Sequence, residues 1–318
     1  MRGKQNPTLH KKGTKTMERV STFANLGIDI SGVNNIQLAL EKANLDYYVE
    51  GTPIYRKWNG TEVENPDFME TVRLTDGHSY GVVSKKYGIV QNSEAFDFVN
   101  YINAPIEFVK GGETRNGMVY IISKLEDMNI LGDTFTPYVL FRNSFNGAYS
   151  LDACICPLRI VCQNQFNISF KETENTIHLK HSKNINDKMR EAQIVLANTV
   201  NYLDTLKKKA EMLAVQKIGR GDVANIIDTL FPIKEKMTDR QKAVINDKKL
   251  AFVNAYNAED NRNFKGTAWG IINACTDFYT HETPVRQTET AEENRFVSVT
   301  FDPKIMQRAL ALVESRVA

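Results

Sequence analysis

Apolar and polar residues alternate in short runs through the first half of the chain and recur every three or four residues through the second. The pattern therefore predicts strands followed by helices. Between residues 46 and 165, four pairs (Asn59-Gly60, Asp76-Gly77, Asn116-Gly117 and Asn146-Gly147) each separate two apolar or alternating runs. Such pairs supply the positive φ angles that a two-residue hairpin turn needs. Thr71 to Leu74 matches Ser79 to Val83, Ile106 to Lys110 matches Met118 to Lys124, and Tyr138 to Arg142 matches Tyr149 to Cys156. The Asn59 hairpin carries the weakest signal, because Pro66 ends its second arm early. The span reads as an antiparallel sheet of at least six strands built from consecutive hairpins. A helix capped by Asn92 or Ser93 lies across one face, with Phe96, Phe98, Val99 and Ile102 apolar. A short helix from Asn34 to about Asn44 precedes the sheet, with Ile36, Leu38, Leu40 and Ala43 inward.

From Ile185 to Val215 the positions Met189, Ala192, Leu196, Val200, Leu203, Leu206, Ala210 and Leu213 keep helical spacing, predicting one helix of about 28 residues, ~42 Å long. That length suits a brace across the domain or a pairing helix in a homo-oligomer, and Gly219 and Gly221 end it. A short helix runs to Phe231, and Thr238 with Gln241 has capping-box spacing for a helix to about Tyr256. Thr267 to Tyr279 reads as a helix, Arg295 to Phe301 as a strand, and the chain after Pro303 as a final helix. The class is α+β, with a basic arm over 1–22, an antiparallel α+β domain over 23–170 and a helical region over 171–318.

Composition narrows the class of partner. The chain has 318 residues, 42% hydrophobic and 25% charged, with a net charge of +2. This is an ordinary globular balance, so affinity for a polyanion must come from local segregation of charge. There is no apolar run of ~20 residues to span a bilayer and no signal-peptide core, which makes the cytoplasm the expected location. Arg2, Lys4, Lys11, Lys12 and Lys15 stand without an acid in the first 16 residues. They read as a flexible arm or as an extension upstream of a second start at Met17. Cys154 and Cys156 share a strand face, yet with Cys162 and Cys275 they lack zinc spacing and read as core thiols. No metal or other cofactor is expected.

Four segments carry a family resemblance: Leu26 to Gly32 (LGIDISG), Gly81 to Asn92 (GVVSKKYGIVQN), Pro157 to Asn164 (PLRIVCQN) and Gly266 to Ala274 (GTAWGIINA). They resemble the phage/plasmid-like protein family, catalogued as domain of unknown function 932, in consistent order from about residue 20 to the C-terminus. The resemblance implies carriage on mobile elements and a bacterial host cytoplasm. It supplies no catalytic residues.

Enzyme motifs are not found. Gly112 to Gly117 has phosphate-loop glycine spacing, but Met118 stands where lysine is required. His178 and His181, three apart, lack the further ligands of a metal site. Glu126 and Asp127, as neighbours on a strand, point to opposite faces and make no two-metal centre. Arg220-Gly221-Asp222 reads as a chance tripeptide. An enzyme with an unfamiliar site is the least favoured reading.

Basic clusters are the suggestive feature. Lys180 to Arg220 holds nine Lys or Arg against four acids, including Lys207, Lys208 and Lys209. Lys85, Lys86 and Tyr87 join cations to a ring, and Arg115, Arg142 and Arg159 lie at or near strand ends. Cations tracking phosphates beside stacking rings suit single-stranded nucleic acid. Against that, Ser84 to Gln163 carries eight acids and seven bases. Gln163 and Asn164 follow a strand, where they either contact a base or phosphate or, for Asn164, cap a helix through Phe170. Trp269 reads as core. The expectation is a phage- or plasmid-encoded DNA-metabolism protein that binds single-stranded DNA as a recombination or annealing accessory. The rival is a mobile-element protein that inhibits a host defence or replication protein.

Overall fold

The computed structural model describes residues 26–159, 163–165, 175–185, 188–189, 193, 196–282, 288–301 and 304–317. The 1–22 arm, Cys162 and the stretch after Gln165 to Glu174 lie outside them. The fold is α+β, as the sequence predicts, but the strands form two sheets rather than one. The strands are β1 (Ile28–Asp29), β2 (Val49–Trp58), β3 (Thr61–Arg73), β4 (Ser79–Ser84), β5 (Glu107–Glu113), β6 (Met118–Lys124), β7 (Met128–Ile130), β8 (Asp133–Ser144), β9 (Leu151–Arg159), β10 (Asn164–Gln165) and β11 (Thr176–Leu179). The larger, eight-stranded sheet runs β1-β5-β6-β8-β9-β10, with β7 beside β8 and β11 beside β9, and β2-β3-β4 form the smaller one.

All four Asx-Gly hairpins are present, and each glycine holds positive φ. The Asn59 hairpin, the weakest on paper, is the longest. β3 passes through Pro66 because the register shifts between Pro53 and Tyr55, leaving residues 65–68 without partners on β2. Asn65 Oδ1 accepts from the amides of Asp67 and Phe68 there, so the proline sits at a bulge, where its missing N–H costs nothing. A further hairpin turns on Leu131-Gly132, both at positive φ, which no turn dipeptide signals.

The large sheet is buried on both faces, and its alternation sorts two cores. Val119, Ile121, Val139, Phe141 and Ala153 pack on one side against α1 (Ile36–Lys42) and α2 (Asn92–Phe96). Met118, Tyr120, Ile122, Leu140, Cys154, Cys156 and Leu158 pack on the other with Phe296 of α7 (Ala291–Phe301). Each large side chain so buried contributes about 1.5–3 kcal/mol. Asn35 caps α1 through the Leu38 amide, while Leu38 itself faces solvent rather than the core. Gln91, not Asn92 or Ser93, caps α2 in a box with Glu94. Asn92 is instead buried and donates to Leu45 O. The Gln91 amide also brackets Val49, accepting from its N–H at 3.0 Å and donating to its carbonyl at 2.9 Å, and so ties the root of β2 to α2.

The second half is helical around one buried helix. α3 (Thr199–Val215), α4 (Arg220–Leu230), α5 (Asp239–Tyr256), α6 (Ala268–Asp277), α7 and α8 (Lys304–Val317) follow in order. Every residue of α6 is buried. With α3, α4, α5 and α8, it surrounds a core that Ile130, Phe135 and Ile155 of the sheet enter. The predicted helix of about 28 residues is not continuous, because a turn at Asn198 separates α3 from the helical positions before it. Residues 295–301 are helical, not a strand. Phe296 and Thr300 turn inward four residues apart, and Asn294 N–H bonds Thr290 O at 2.9 Å. The β-branched content that suggested a strand is overridden by this packing. Asn164 lies in β10 opposite Arg159 rather than at a helix cap. The Thr238–Gln241 box and the burial of Trp269 are as predicted. No described helix is long and apolar enough to cross a membrane.

Candidate nucleic-acid interface

A groove follows the seam where the small sheet meets the turns of the large one. Its wider part, about 790 Å³, is lined by Arg73 and Tyr80 of the small sheet, by Glu113 and the 114–117 turn, and by Asn146 and Tyr149. A second cavity of about 420 Å³ continues past Asn146 to Lys86, Tyr87 and His181. The seam is closed by long-range bonds. Thr71 Oγ1 donates to Phe145 O at 2.7 Å, and Tyr87 Oη donates to Ser144 O at 2.7 Å.

The wall of the wide part is a bonded cluster. Tyr80 Oη donates to Tyr47 Oη at 2.8 Å, Tyr47 Oη to Glu113 at 3.1 Å, and Arg73 Nη1 to the same carboxylate at 3.2 Å. Arg73 also grips Asp76 through two nitrogens and lies over the Tyr47 ring at 4.9 Å. The Asp76 hydrogen bonds raise the Arg73 pKa, keeping it charged. Burial pushes Tyr47 up to about 12 and Tyr80 further, so both stay protonated donors. These residues span positions 47 to 113 and meet only through strand pairing. Of these contacts only Arg73–Asp76, three residues apart across a turn, is local in sequence.

The structure separates the residues singled out from sequence. Lys86, Tyr87 and Arg115 line the groove. Lys86 is exposed, and Arg115 is exposed in a surface pair with Glu289. Tyr87 is not an open platform: His181 stacks on its ring at 4.8 Å, and burial raises its pKa to about 12. Lys85 points to the small sheet, paired with Glu64.

Arg142 and Arg159 do not face solvent. Arg142 is buried against Asp152 beneath the Phe301 ring, and Arg159, 2% exposed, bonds Asp133 at 2.6 Å and reaches Asp260 at 3.4 Å. Buried arginines of this kind hold strands and helices together, since an unpaired charge there is costly. Gln163 is half-buried in a turn at φ 57°, its N–H on Arg159 O. Lys207, Lys208 and Lys209 ride on α3 and line neither cavity, with Lys209 reaching Glu314 at 3.8 Å.

Other chemistry resolves into structure. His178 Nδ1 lies 2.7 Å from Asp152 and 3.0 Å from Ser150 Oγ. A hydrolytic relay needs carboxylate and nucleophile on opposite ring nitrogens, so this set is not one. Asp127 accepts from Thr136 at 2.6 Å in a loop, not on a strand. Among the described residues, no group of three or more His, Cys, Asp or Glu is placed to hold a metal ion. Cys154, Cys156 and Cys275 are buried, and burial raises each thiol, Cys154 to about 12.

A family model described as Domain of unknown function (DUF932) matches residues 79–299. The segments beginning at Gly81, Pro157 and Gly266 fall inside it, and Leu26 to Gly32 falls before it. No curated protein and no solved structure matches the chain. With more than half of its length matched, the chain belongs to the DUF932 family.

Proposed function

We propose that the protein binds single-stranded DNA along this groove, as an accessory in recombination or annealing on a phage or plasmid. One observation carries the reading. The residues lining the two cavities include Arg73, Arg115 and Lys86 with the rings of Tyr80 and Tyr149, Tyr87 being covered by His181, and a single acid, Glu113. Cations beside rings in an open channel suit a strand whose phosphates are followed and whose bases are not read. Arg73 is engaged by Asp76 and Glu113 and shapes the wall. Lys86 and Arg115 are the contacts a phosphate reaches. The Arg115–Glu289 pair is exposed on both sides, and such pairs are worth only about 0–1 kcal/mol, so a phosphate can replace the carboxylate.

The test is retention of a labelled oligothymidine at several salt concentrations. Binding that weakens with salt, by a slope of about 0.7 for each phosphate neutralised, and that flattens in the Lys86→Ala/Arg115→Ala variant supports the reading. No retention at low salt overturns it and leaves the host-protein inhibitor as the better account.

A further inference from the structure

The β2–β3 hairpin extends beyond the rest of the small sheet. β4 pairs with β3 only over Phe68 to Val72, so Tyr55–Trp58 and Thr61–Glu64 pair with each other alone. Its tip, Asn59-Gly60, has both residues at positive φ, the geometry of a tight two-residue turn. A two-stranded ribbon with water on both sides gains little from burial. Even so, Trp58 is 64% exposed and Tyr55 58%. An exposed tryptophan on an outlying ribbon marks a binding surface more readily than a core that failed to form.

The register shows what this surface fits. Arg56 faces Val63, and Trp58 faces Thr61, so these four side chains share one face, and the Arg56 guanidinium lies 5.9 Å from the Trp58 ring. Tyr55 faces Glu64, and Lys57 faces Glu62, so the ribbon's acids stand on the other face, where Lys85 binds Glu64. The Trp58 face thus has a cation, a large ring and no carboxylate. Its complement is an anionic ligand with flat apolar faces. Strand addition by another chain is disfavoured, since Pro53 on the outer strand has no N–H to offer. The ribbon also springs from the end of the groove. Lys85 N–H bonds Asp67 O at 2.8 Å, and the next residue, Lys86, lines the second cavity.

We infer that Trp58, with Arg56 beside it, stacks on a base of single-stranded nucleic acid that continues from the groove onto the β2–β3 ribbon. This rests on the groove reading above and adds a site to it.

The full-length chain contains its own reporter. It has two tryptophans, and Trp269 is 2% exposed, so a change in tryptophan emission on adding oligothymidine reports Trp58. Anisotropy of a fluorescein-labelled oligothymidine, read in parallel, reports binding wherever it occurs. The expected result is quenching of tryptophan emission that tracks the anisotropy. Trp58→Ala is expected to abolish the quenching and weaken binding on the order of 5- to 150-fold, with Trp58→Phe between the two. Because Trp58 lies at an exposed tip, the variant's far-ultraviolet spectrum should match that of the parent. If anisotropy rises while emission is unchanged and Trp58→Ala binds as the parent does, the stacking inference fails and the groove reading stands. If no oligonucleotide binds at low salt, both fail. If Trp58→Ala leaves affinity intact but converts a sedimenting dimer to monomer, the ribbon is a protein contact and the inference is overturned.

Discussion

Arg142 and Asp152 stand directly across from each other on β8 and β9, and their ion pair is almost fully enclosed, with side-chain exposures of 9% and 1%. Phe301 covers the guanidinium at 4.1 Å from the ring centre, and Tyr149 lies at 5.2 Å on the same group. The ion pair therefore joins β8 to β9, and the Phe301 ring on the guanidinium ties α7 to the large sheet. Asp152→Ala strands the buried guanidinium and should cost about 3–5 kcal/mol. Adding Arg142→Met in the same chain should recover much of that loss, because no lone charge then remains buried. Urea midpoints of the single and double variants check the pair, and equal loss in both would contradict it.

His181 makes stability depend on pH. Its Nδ1 lies 3.0 Å from Gly88 O and must carry the proton, while Nε2 is buried without a hydrogen-bond partner. Burial lowers its pKa, so the folded protein takes up a proton less readily than the unfolded chain. Its contribution is fully present above about pH 6.5, the ordinary histidine value, and is lost as pH falls from there toward the lowered folded value. The melting temperature should drop less between pH 7 and 5.5 in His181→Gln than in the parent.

Gly270 lets α6 approach the preceding segment closely. A Cβ there would overlap the Phe264 carbonyl oxygen, and backbone cannot move aside as a side-chain tip can. Gly270→Ala should destabilise by about 1–3 kcal/mol despite alanine's better helix propensity, as a shift in denaturation midpoint would report.

The buried thiols should be chemically silent. In a Cys162→Ala background, Cys154, Cys156 and Cys275 should resist a water-soluble thiol reagent until the protein unfolds. Cys275→Ser should cost more than Cys275→Ala, since it places a hydroxyl in the apolar core with Ile271, Ala274 and Phe278. Rapid labelling of a thiol in the native state would show the core to be open.

What was legible in the sequence is what is decided locally. Each hairpin turn places a positive φ on its glycine, which that residue tolerates, so four hairpins could be read directly, and the Thr238–Gln241 cap needs only its own turn. What was not legible depends on partners far along the chain. Arg159 looks like any strand-end cation until Asp260, 101 residues on, meets it in the interior. Tyr47, Arg73, Tyr80 and Glu113 have no spacing signature because strand pairing brings them together. Pro66 argued against a strand, and only the shifted register between Pro53 and Tyr55 shows how β3 accommodates it. Residues 295–301 carry strand-forming types, and their helix is chosen by where Phe296 packs.

A helix with no wetted side cannot outlive its neighbours. All ten residues of α6 are buried, and α3, α5 and α8 each lie against it. Peeling away any one of them uncovers part of the stretch from Ala268 to Asp277, so partial opening of this region is penalised at once. Its amides should exchange with deuterium only at the rate of whole-molecule unfolding. A chain cut short before Lys304 would leave Ile271 and Ala274 without the α8 core residues Met306, Ala309, Leu310 and Val313 that share their cluster, and proteases would take such a chain as a whole rather than trim its end.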